Sequence, residues 1–199
     1  MCGIVGLFAR DRQAPVDRSV LTRMRDSMTH RGPDGAGLWL AQGVGLAHRR
    51  LSVIDVEGSP QPMHSQDERT VIVFNGEIYN YRALRRELRQ HGHRFSTEGD
   101  TEVILAAWRE WGSRCLERLD GMFAFAIYDR NSRKLFLARD RFGVKPLFTA
   151  TLPDGTFAFS SELKGLLAHP ALEREVDPLA IEDYFTWGYV PDHRSILKG

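Results

Sequence analysis

The stretch MFAFAIY at residues 122–128 is the longest uninterrupted apolar run in the chain. Side chains alternate between the two faces of a strand, so both faces of this strand are apolar. Such a strand must be covered on both sides, which is typical of a layer that lies between other layers. The fold therefore needs at least one further layer on each side of this strand.

Shorter patterns on either side of this stretch predict the covering layers. Strands are expected at 3–9, 38–40, 44–51, 71–74, 135–138, 147–150 and 156–160, and a polar loop at 57–69. Helices are expected at 17–29, 80–91, 101–111, 161–168 and 178–186. Asp17 and Asn80 are predicted to cap the first two helices, and Gly92 is predicted to stop the second. The pattern places helices outside two layers of strands.

Composition and charge exclude several classes of protein. The chain has 199 residues, 27 Lys and Arg against 26 Asp and Glu, and a formal net charge of +1. This balance argues against a nucleic-acid partner, which usually meets a basic face. No apolar run approaches the length of about 20 residues that a membrane span needs, so no membrane partner is expected. Two cysteines do not make a disulfide framework, and we expect a cytoplasmic protein.

Cys2 can be interpreted in two ways. It is either a small hydrophobic residue at the start of a strand, or a nucleophile that becomes N-terminal when Met1 is removed. In the second case one residue supplies both the thiol and a base. A free α-amine has a pKa of about 7.7–8.0, so part of it is neutral near pH 7 and can accept the thiol proton.

Six short motifs occur along the chain in a fixed order. They are MCGIVG (1–6), HRGPD (30–34), HRRLSVID (48–55), NGEIYNY (75–81), GDTEVI (99–104) and RDRFGVKPL (139–147). Together they resemble the class II glutamine amidotransferases, which are N-terminal-nucleophile hydrolases, and the resemblance covers essentially the whole chain. HRGPD, RDRFGVKPL and SSELKGLL (160–167) favour the glutaminase domain of glutamine-hydrolysing asparagine synthetases.

The resemblance implies a fold and a catalytic set. The implied fold is α+β, a four-layer α/β/β/α sandwich of two mainly antiparallel sheets. Cys2 would be the nucleophile, and the Asn75 side-chain amide and the Gly76 N–H would form the oxyanion hole. The alternative for Asn75-Gly76 is a hairpin turn, which is the usual meaning of Asn-Gly. The segment that follows resembles a helix rather than a second strand, and this favours the oxyanion hole.

The resemblance also implies how L-glutamine would be bound. Arg50 would pair with the substrate carboxylate, since a guanidinium fits a carboxylate in a bidentate way. The neighbouring Arg49 is the alternative, although a solvated surface charge suits it better. Asp100 and Glu77 would meet the substrate ammonium, and Asp100 could equally cap the helix at 101–111. The residues expected to offer backbone groups are Leu51, Ser52, Val53 and Ile54.

Other chemically notable residues receive structural interpretations. His30 is expected in a loop that shapes the pocket rather than as a base. The charged run Arg139-Asp140-Arg141 is either a contact near an ammonia exit or partner domain, or a local ion pair. Cys115, Trp108 and Trp111 are expected in the core. The histidines show no spacing typical of metal ligands, and no metal is expected.

The domain organisation follows from the resemblance. Residues 1–187 would form the glutaminase domain, and 188–199 would begin the connection to a C-terminal synthetase domain of the same polypeptide. No phosphate-binding glycine loop is present, so no cofactor is expected in this domain. ATP and Mg²⁺ are expected only in the synthetase domain, and the sequence leaves a homodimer open. The alternatives are an asparagine-synthetase-like amidotransferase of exopolysaccharide biosynthesis and a non-catalytic module that senses glutamine.

Overall fold

The computed structural model describes residues 1–191 and 193–198. Its strands are β1 (Gly3–Phe8), β2 (Gly35–Ala41), β3 (Val44–Arg50), β4 (Met63–His64), β5 (Thr70–Ile78), β6 (Gly121–Asp129), β7 (Lys134–Arg139), β8 (Phe148–Thr151) and β9 (Phe157–Ser160). Its α-helices are α1 (Arg18–Asp26), α2 (Tyr81–Gln90), α3 (Asp100–Trp111), α4 (Leu163–Leu167) and α5 (Pro178–Trp187). A 3₁₀ helix, Gly112–Glu117, follows α3.

The strands form two antiparallel sheets. The first sheet has the order β2-β3-β1-β9-β8, and the second has the order β4-β5-β6-β7. β1 is the central strand of the first sheet, and β5 and β6 are the central strands of the second. The motif MCGIVG leads into β1, and the motif NGEIYNY begins at the end of β5.

The two faces of β6 pack into two different cores, as its apolar pattern predicts. Phe123, Phe125 and Ile127 belong to the core between the second sheet and the helices α2 and α3. Ala124, Ala126 and Tyr128 belong to the core between the two sheets. The core between the sheets also takes side chains from the first sheet, among them Ile4, Leu46 and Phe159.

The helices complete four layers. α2 and α3 cover the outer face of the second sheet. α1 and α4 cover the outer face of the first sheet through Leu21, Met24 and Leu166. Asp17 caps α1 as predicted, since its carboxylate accepts from the N–H groups of Ser19 and Val20. The predicted α/β/β/α sandwich is confirmed.

Two local predictions are corrected. The predicted loop at 57–69 contains the short strand β4, which pairs with β5. Asn80 stands at the start of α2, but its side chain does not cap the helix. Its Nδ2 donates to the Arg118 carbonyl at 2.9 Å, and its Oδ1 accepts from the Asp120 N–H at 3.1 Å. These partners are distant in sequence and compete successfully with the nearby helix N–H groups.

The remaining local predictions concern the core and the C-terminal segment. Cys115 is fully buried, and Trp108 packs on Phe136 with ring centroids 4.6 Å apart. The segment 193–198 returns beside the residues before α5, where Lys198 N–H donates to the Glu175 carbonyl. Asp192 and Gly199, which belong to the predicted connection at 188–199, lie outside the described residues. No helix among the described residues is long and apolar enough to cross a membrane.

Candidate active site

A cavity lies where the start of β1, the end of β3, the end of β5 and the start of α3 meet. It brings together residues that are far apart in sequence: Cys2, Arg50, Asn75, Gly76, Glu77 and Asp100. Leu51, Val53 and Ile54 from the segment after β3 also line it. The predicted site residues therefore share one cavity, with the exception of Ser52.

The Cys2 thiol is held against the chain that follows β3. Gly3 pairs with Arg49 in the first sheet, so Cys2 lies at the end of β3, where the chain continues through Arg50 to Leu51. The Leu51 N–H donates to Sγ at 3.4 Å, and the thiol lies 3.5 Å from the Leu51 carbonyl oxygen. Burial raises the pKa of this thiol, while the Leu51 N–H and the positive charge of Arg50 oppose that rise. The thiol therefore needs a base nearby before it can attack a substrate.

Arg31 fixes the backbone of the same cysteine. Its Nε donates to the Cys2 carbonyl at 2.8 Å, and its Nη1 donates to the Glu162 carboxylate at 3.0 Å. The motif HRGPD thus contributes an arginine to the site. His30 pairs with Glu162 on the exposed side of the same contact, and it does not line the cavity with Cys2.

Asn75 presents an unpaired donor to the cavity. The residue is 1% exposed, and its Nδ2 has no hydrogen-bond partner among the residues that the structure describes. A buried donor without an acceptor costs about 1–3 kcal/mol, so this amide is suited to a ligand oxygen. The hairpin-turn alternative for Asn75-Gly76 is wrong, since β5 runs through both residues in register with β6.

Gly76 is required by the sheet itself. A Cβ atom at this position would lie 2.3 Å from the Met122 carbonyl oxygen of β6. Any larger residue would therefore push β5 and β6 apart. The absence of a side chain also leaves the backbone beside Asn75 accessible from the cavity.

Arg50 lines the cavity and also closes the segment after β3. Its Nη1 donates to the Val56 carbonyl at 2.7 Å, and its Nη2 donates to the Asp55 carbonyl at 2.6 Å. Arg49 points elsewhere, because its Nε donates to the Thr29 hydroxyl at 3.1 Å. The geometry therefore places Arg50 rather than Arg49 at the cavity.

Ser52 has a different environment from its neighbours. Its N–H donates to the Asp34 carboxylate at 2.8 Å, and Ser52 is not among the residues that line the cavity. Asp34 belongs to the motif HRGPD. This hydrogen bond fixes the segment 51–54 from outside.

Asp100 and Glu77 make the opposite side of the cavity acidic. Asp100 is the first residue of α3, and Gly99 holds the N-cap position. An Asp100 carboxylate oxygen accepts from the Ile78 N–H at 3.0 Å. Burial raises the pKa of Asp100, and the charge of Glu77 raises it further. A bound cation would relieve both effects, so this side of the cavity suits an ammonium group.

Two residues that line the cavity, Gln61 and Lys145, are not among the predicted site residues. Gln61 joins the two sides of the cavity: its Oε1 accepts from the Phe74 N–H at 2.6 Å, and its Nε2 donates to the Thr101 hydroxyl at 3.3 Å. Lys145 lines the cavity from the loop after β7. Lys145 lies within a motif quoted above, but Gln61 lies in a loop whose sequence gives no such indication.

The charged run after β7 is organised by one carboxylate. Asp140 is buried and accepts from four backbone N–H groups, those of Phe123, Phe142, Val144 and Lys145. Burial raises the pKa of Asp140, but these hydrogen bonds together outweigh burial and lower it. This loop is held by the hydrogen bonds of its N–H groups to Asp140 and by those of the Arg139 side chain to the Gly143 and Lys145 carbonyls.

The comparisons with known proteins agree with this geometry. A family model described as "Glutamine amidotransferase domain" matches residues 1–199. The chain belongs to this family. Its fold is also that of a solved structure, the glutamine phosphoribosylpyrophosphate amidotransferase of Bacillus subtilis, with a TM-score of 0.69 and 23% identity. That likeness covers 89% of this chain and 46% of the solved one.

Curated relatives carry the name asparagine synthetase. This glutamine amidotransferase domain is 42% identical over 190 residues to asparagine synthetase [glutamine-hydrolyzing] 3 of Bacillus subtilis, covering 94% of this chain and 31% of that protein. It is 40% identical over 167 residues to asparagine synthetase B [glutamine-hydrolyzing] of Escherichia coli, and the match covers 84% of this chain and 30% of that protein. The chain thus spans about a third of the length of these relatives. The resemblance drawn from the six motifs is confirmed.

Proposed function

We propose that this domain hydrolyses L-glutamine to L-glutamate and ammonia, with Cys2 as the nucleophile. The observation that supports it most directly is the buried, unpaired Nδ2 of Asn75 in the cavity that also holds the Cys2 thiol. A carbonyl oxygen that becomes negative during attack by the thiol would provide the acceptor that this amide lacks. The family of the chain and the names of its relatives support the same reaction.

The reaction proceeds through a thioester. Removal of Met1 frees the α-amine of Cys2, which accepts the thiol proton. The sulfur attacks the carbon of the substrate amide, and the resulting oxyanion accepts hydrogen bonds from Asn75 Nδ2 and the Gly76 N–H. The amide C–N bond then breaks, and ammonia leaves with the proton from the α-ammonium. Water finally hydrolyses the γ-glutamyl thioester to glutamate and the free thiol.

Opposite charges at the two sides of the cavity orient the substrate. Arg50 binds the glutamine carboxylate, and Asp100 with Glu77 binds its ammonium group. Each charge of the zwitterion meets a partner of opposite sign, as a buried charge requires. The backbone of the segment 51–54 adds contacts along the ligand.

In the proposed setting the ammonia is used by another domain. Residues 1–187 form the glutaminase domain, and 188–199 begin the connection to a synthetase domain that makes asparagine from aspartate with ATP and Mg²⁺. This domain itself needs no cofactor. The relatives' names and their greater length support this proposal. A cytoplasmic setting belongs to it, because the nucleophile must remain a reduced thiol.

The test is glutamate release from glutamine by protein whose intact mass shows the loss of Met1. We expect activity in the wild type, none in Cys2→Ala, and retained activity in the matched control Cys115→Ala, since Cys115 lies in the core. Equal rates in wild type and Cys2→Ala would refute the proposal. Binding of glutamine without release of glutamate would favour the sensing module instead, and full activity with Met1 retained would refute the role of the α-amine.

A further inference from the structure

Lys145 is a buried lysine at the edge of the cavity. Only 5% of the residue is exposed, and it lines the cavity together with Cys2. Its Nζ lies 3.3 Å from the sulfur of Met1. The side chain therefore reaches the residue that the proposed function requires to be removed.

The backbone of Lys145 is fixed on both sides. Its N–H donates to the Asp140 carboxylate at 2.9 Å, and its carbonyl accepts from Arg139 Nε at 3.0 Å. Asp140 is itself held by the N–H groups of the surrounding loop. These hydrogen bonds fix the backbone position from which the Lys145 side chain enters the cavity.

The ammonium of Lys145 has a weak partner. In residues 1–191 and 193–198, no carboxylate lies within ion-pair distance of Nζ, and the contact that it makes is with a thioether. A thioether is a poor acceptor, and a buried cation without a carboxylate is costly. Loss of Met1 removes even this contact. The cation is then placed to act on charges that form at Cys2.

The contact with Met1 limits how far Lys145 Nζ can lie from the α-amine of processed Cys2. Five covalent bonds join the Met1 sulfur to the nitrogen of Cys2, so that nitrogen lies within about 10 Å of Nζ by standard bond lengths. The other charged groups that contact Cys2 or line the cavity are Arg31, Arg50, Glu77 and Asp100. The two acidic groups favour protonation of the amine, whereas the positive charges of Arg31, Arg50 and Lys145 oppose it.

We propose that Lys145 is a positioning residue that keeps the α-amine of processed Cys2 in its neutral, proton-accepting form. A positive charge disfavours a second one nearby and favours the thiolate. The inference rests on the proposed function, since it assigns Lys145 a part in readying the same nucleophile. At the separation given above, one unit charge displaces such a titration by about one pH unit.

The experiment compares Lys145→Met with Lys145→Arg, which keeps the charge, and with Lys134→Met, an exposed lysine on β7. Two profiles are measured on processed protein between pH 5.5 and 9. One is kcat/KM for glutamine hydrolysis, and the other is alkylation of Cys2 by iodoacetamide, quantified by peptide mass. We expect Lys145→Met to displace the acid limb of both profiles toward higher pH by about one pH unit. The rate at pH 6.5 would then fall about tenfold, with convergence at high pH.

The controls separate electrostatics from structure. Lys145→Arg keeps the positive charge, so its two acid limbs should lie close to those of the wild type, and Lys134→Met should follow the wild type. Acid limbs that coincide in wild type and Lys145→Met would refute the inference, as would a uniform loss of rate at every pH. If Lys145→Met folds poorly, Lys145→Gln makes the same neutral test. Alkylation needs no turnover, so a wild type without glutaminase activity would refute the proposed function while the alkylation profile still tests Lys145.

Discussion

Replacement of His48 by glutamine tests how the two sheets are held together behind the cavity. His48 lies on β3, is wholly buried, and contacts the Phe74 carbonyl of β5 through Nε2 at 3.1 Å. Because a carbonyl only accepts, Nε2 carries the proton, and Nδ1 has no partner among the described residues. Burial lowers the pKa of His48 to about 3. Glutamine keeps a donor for Phe74 but does not titrate.

The expected magnitude follows from the difference between folded and unfolded states. The unfolded imidazole titrates near 6.5, whereas the folded one stays neutral down to about pH 3. The contribution to stability is therefore intact above pH 6.5 and is lost as the pH falls from 6.5 toward 3. Each pH unit in this window costs about 1.4 kcal/mol, so the wild type should lose about 2 kcal/mol between pH 6.5 and 5 through His48 alone.

Urea unfolding at pH 7.5, 6.5, 5.5 and 5.0 measures this loss. His48→Gln is expected to be less stable than the wild type at pH 7.5, and the difference should shrink by about 2 kcal/mol at pH 5. Carboxylates also titrate in this range, but their effect is common to both proteins and cancels in the comparison. His64→Gln, at an exposed position on β4, is the matched control and should follow the wild type. A stability difference that stays constant with pH would show that His48 is not held neutral by burial.

Three further substitutions test the cavity and the loop after β7. Asn75→Ala should lower kcat for glutamine about 100- to 1000-fold with little change in KM, because it removes one donor to the oxyanion; a change in KM alone would contradict this. Arg50→Ala should raise KM by an amount equivalent to about 2–5 kcal/mol in binding. It should also lower Tm, since Arg50 donates to carbonyls of the segment after β3; unchanged KM would assign Arg50 a purely structural role. Asp140→Asn should lower the free energy of unfolding by about 1–3 kcal/mol, because an amide oxygen and NH₂ cannot replace a carboxylate that accepts four N–H groups; an unchanged urea midpoint would contradict it.

Much of the fold is predictable because its signals are local. The alternating pattern of β6 predicts burial on two faces, and the structure divides these side chains between two cores. The helix at 101–111 is predicted from its apolar stripe and appears as α3. These predictions succeed because the periods of strands and helices act over neighbouring residues.

Local signals fail where distant residues supply a stronger partner. Asn-Gly at 75–76 favours a turn by itself, but pairing with β6 keeps both residues extended. Asn80 stands at a helix start, yet its side chain bonds the chain at 118 and 120. In both cases contacts made only in the folded state outweigh the local preference.

The candidate site also has features that the sequence predicts and features that only tertiary packing decides. The sequence by itself determined the layered fold, the family and the residue types of the site, because motifs and periodic patterns are properties of adjacent residues. Only the tertiary structure decided that Arg50 rather than Arg49 lines the cavity, that Ser52 faces Asp34, and that Lys145 reaches Met1. The physical reason is that burial and unmet hydrogen bonds depend on which distant segments pack together, and no single segment contains that information.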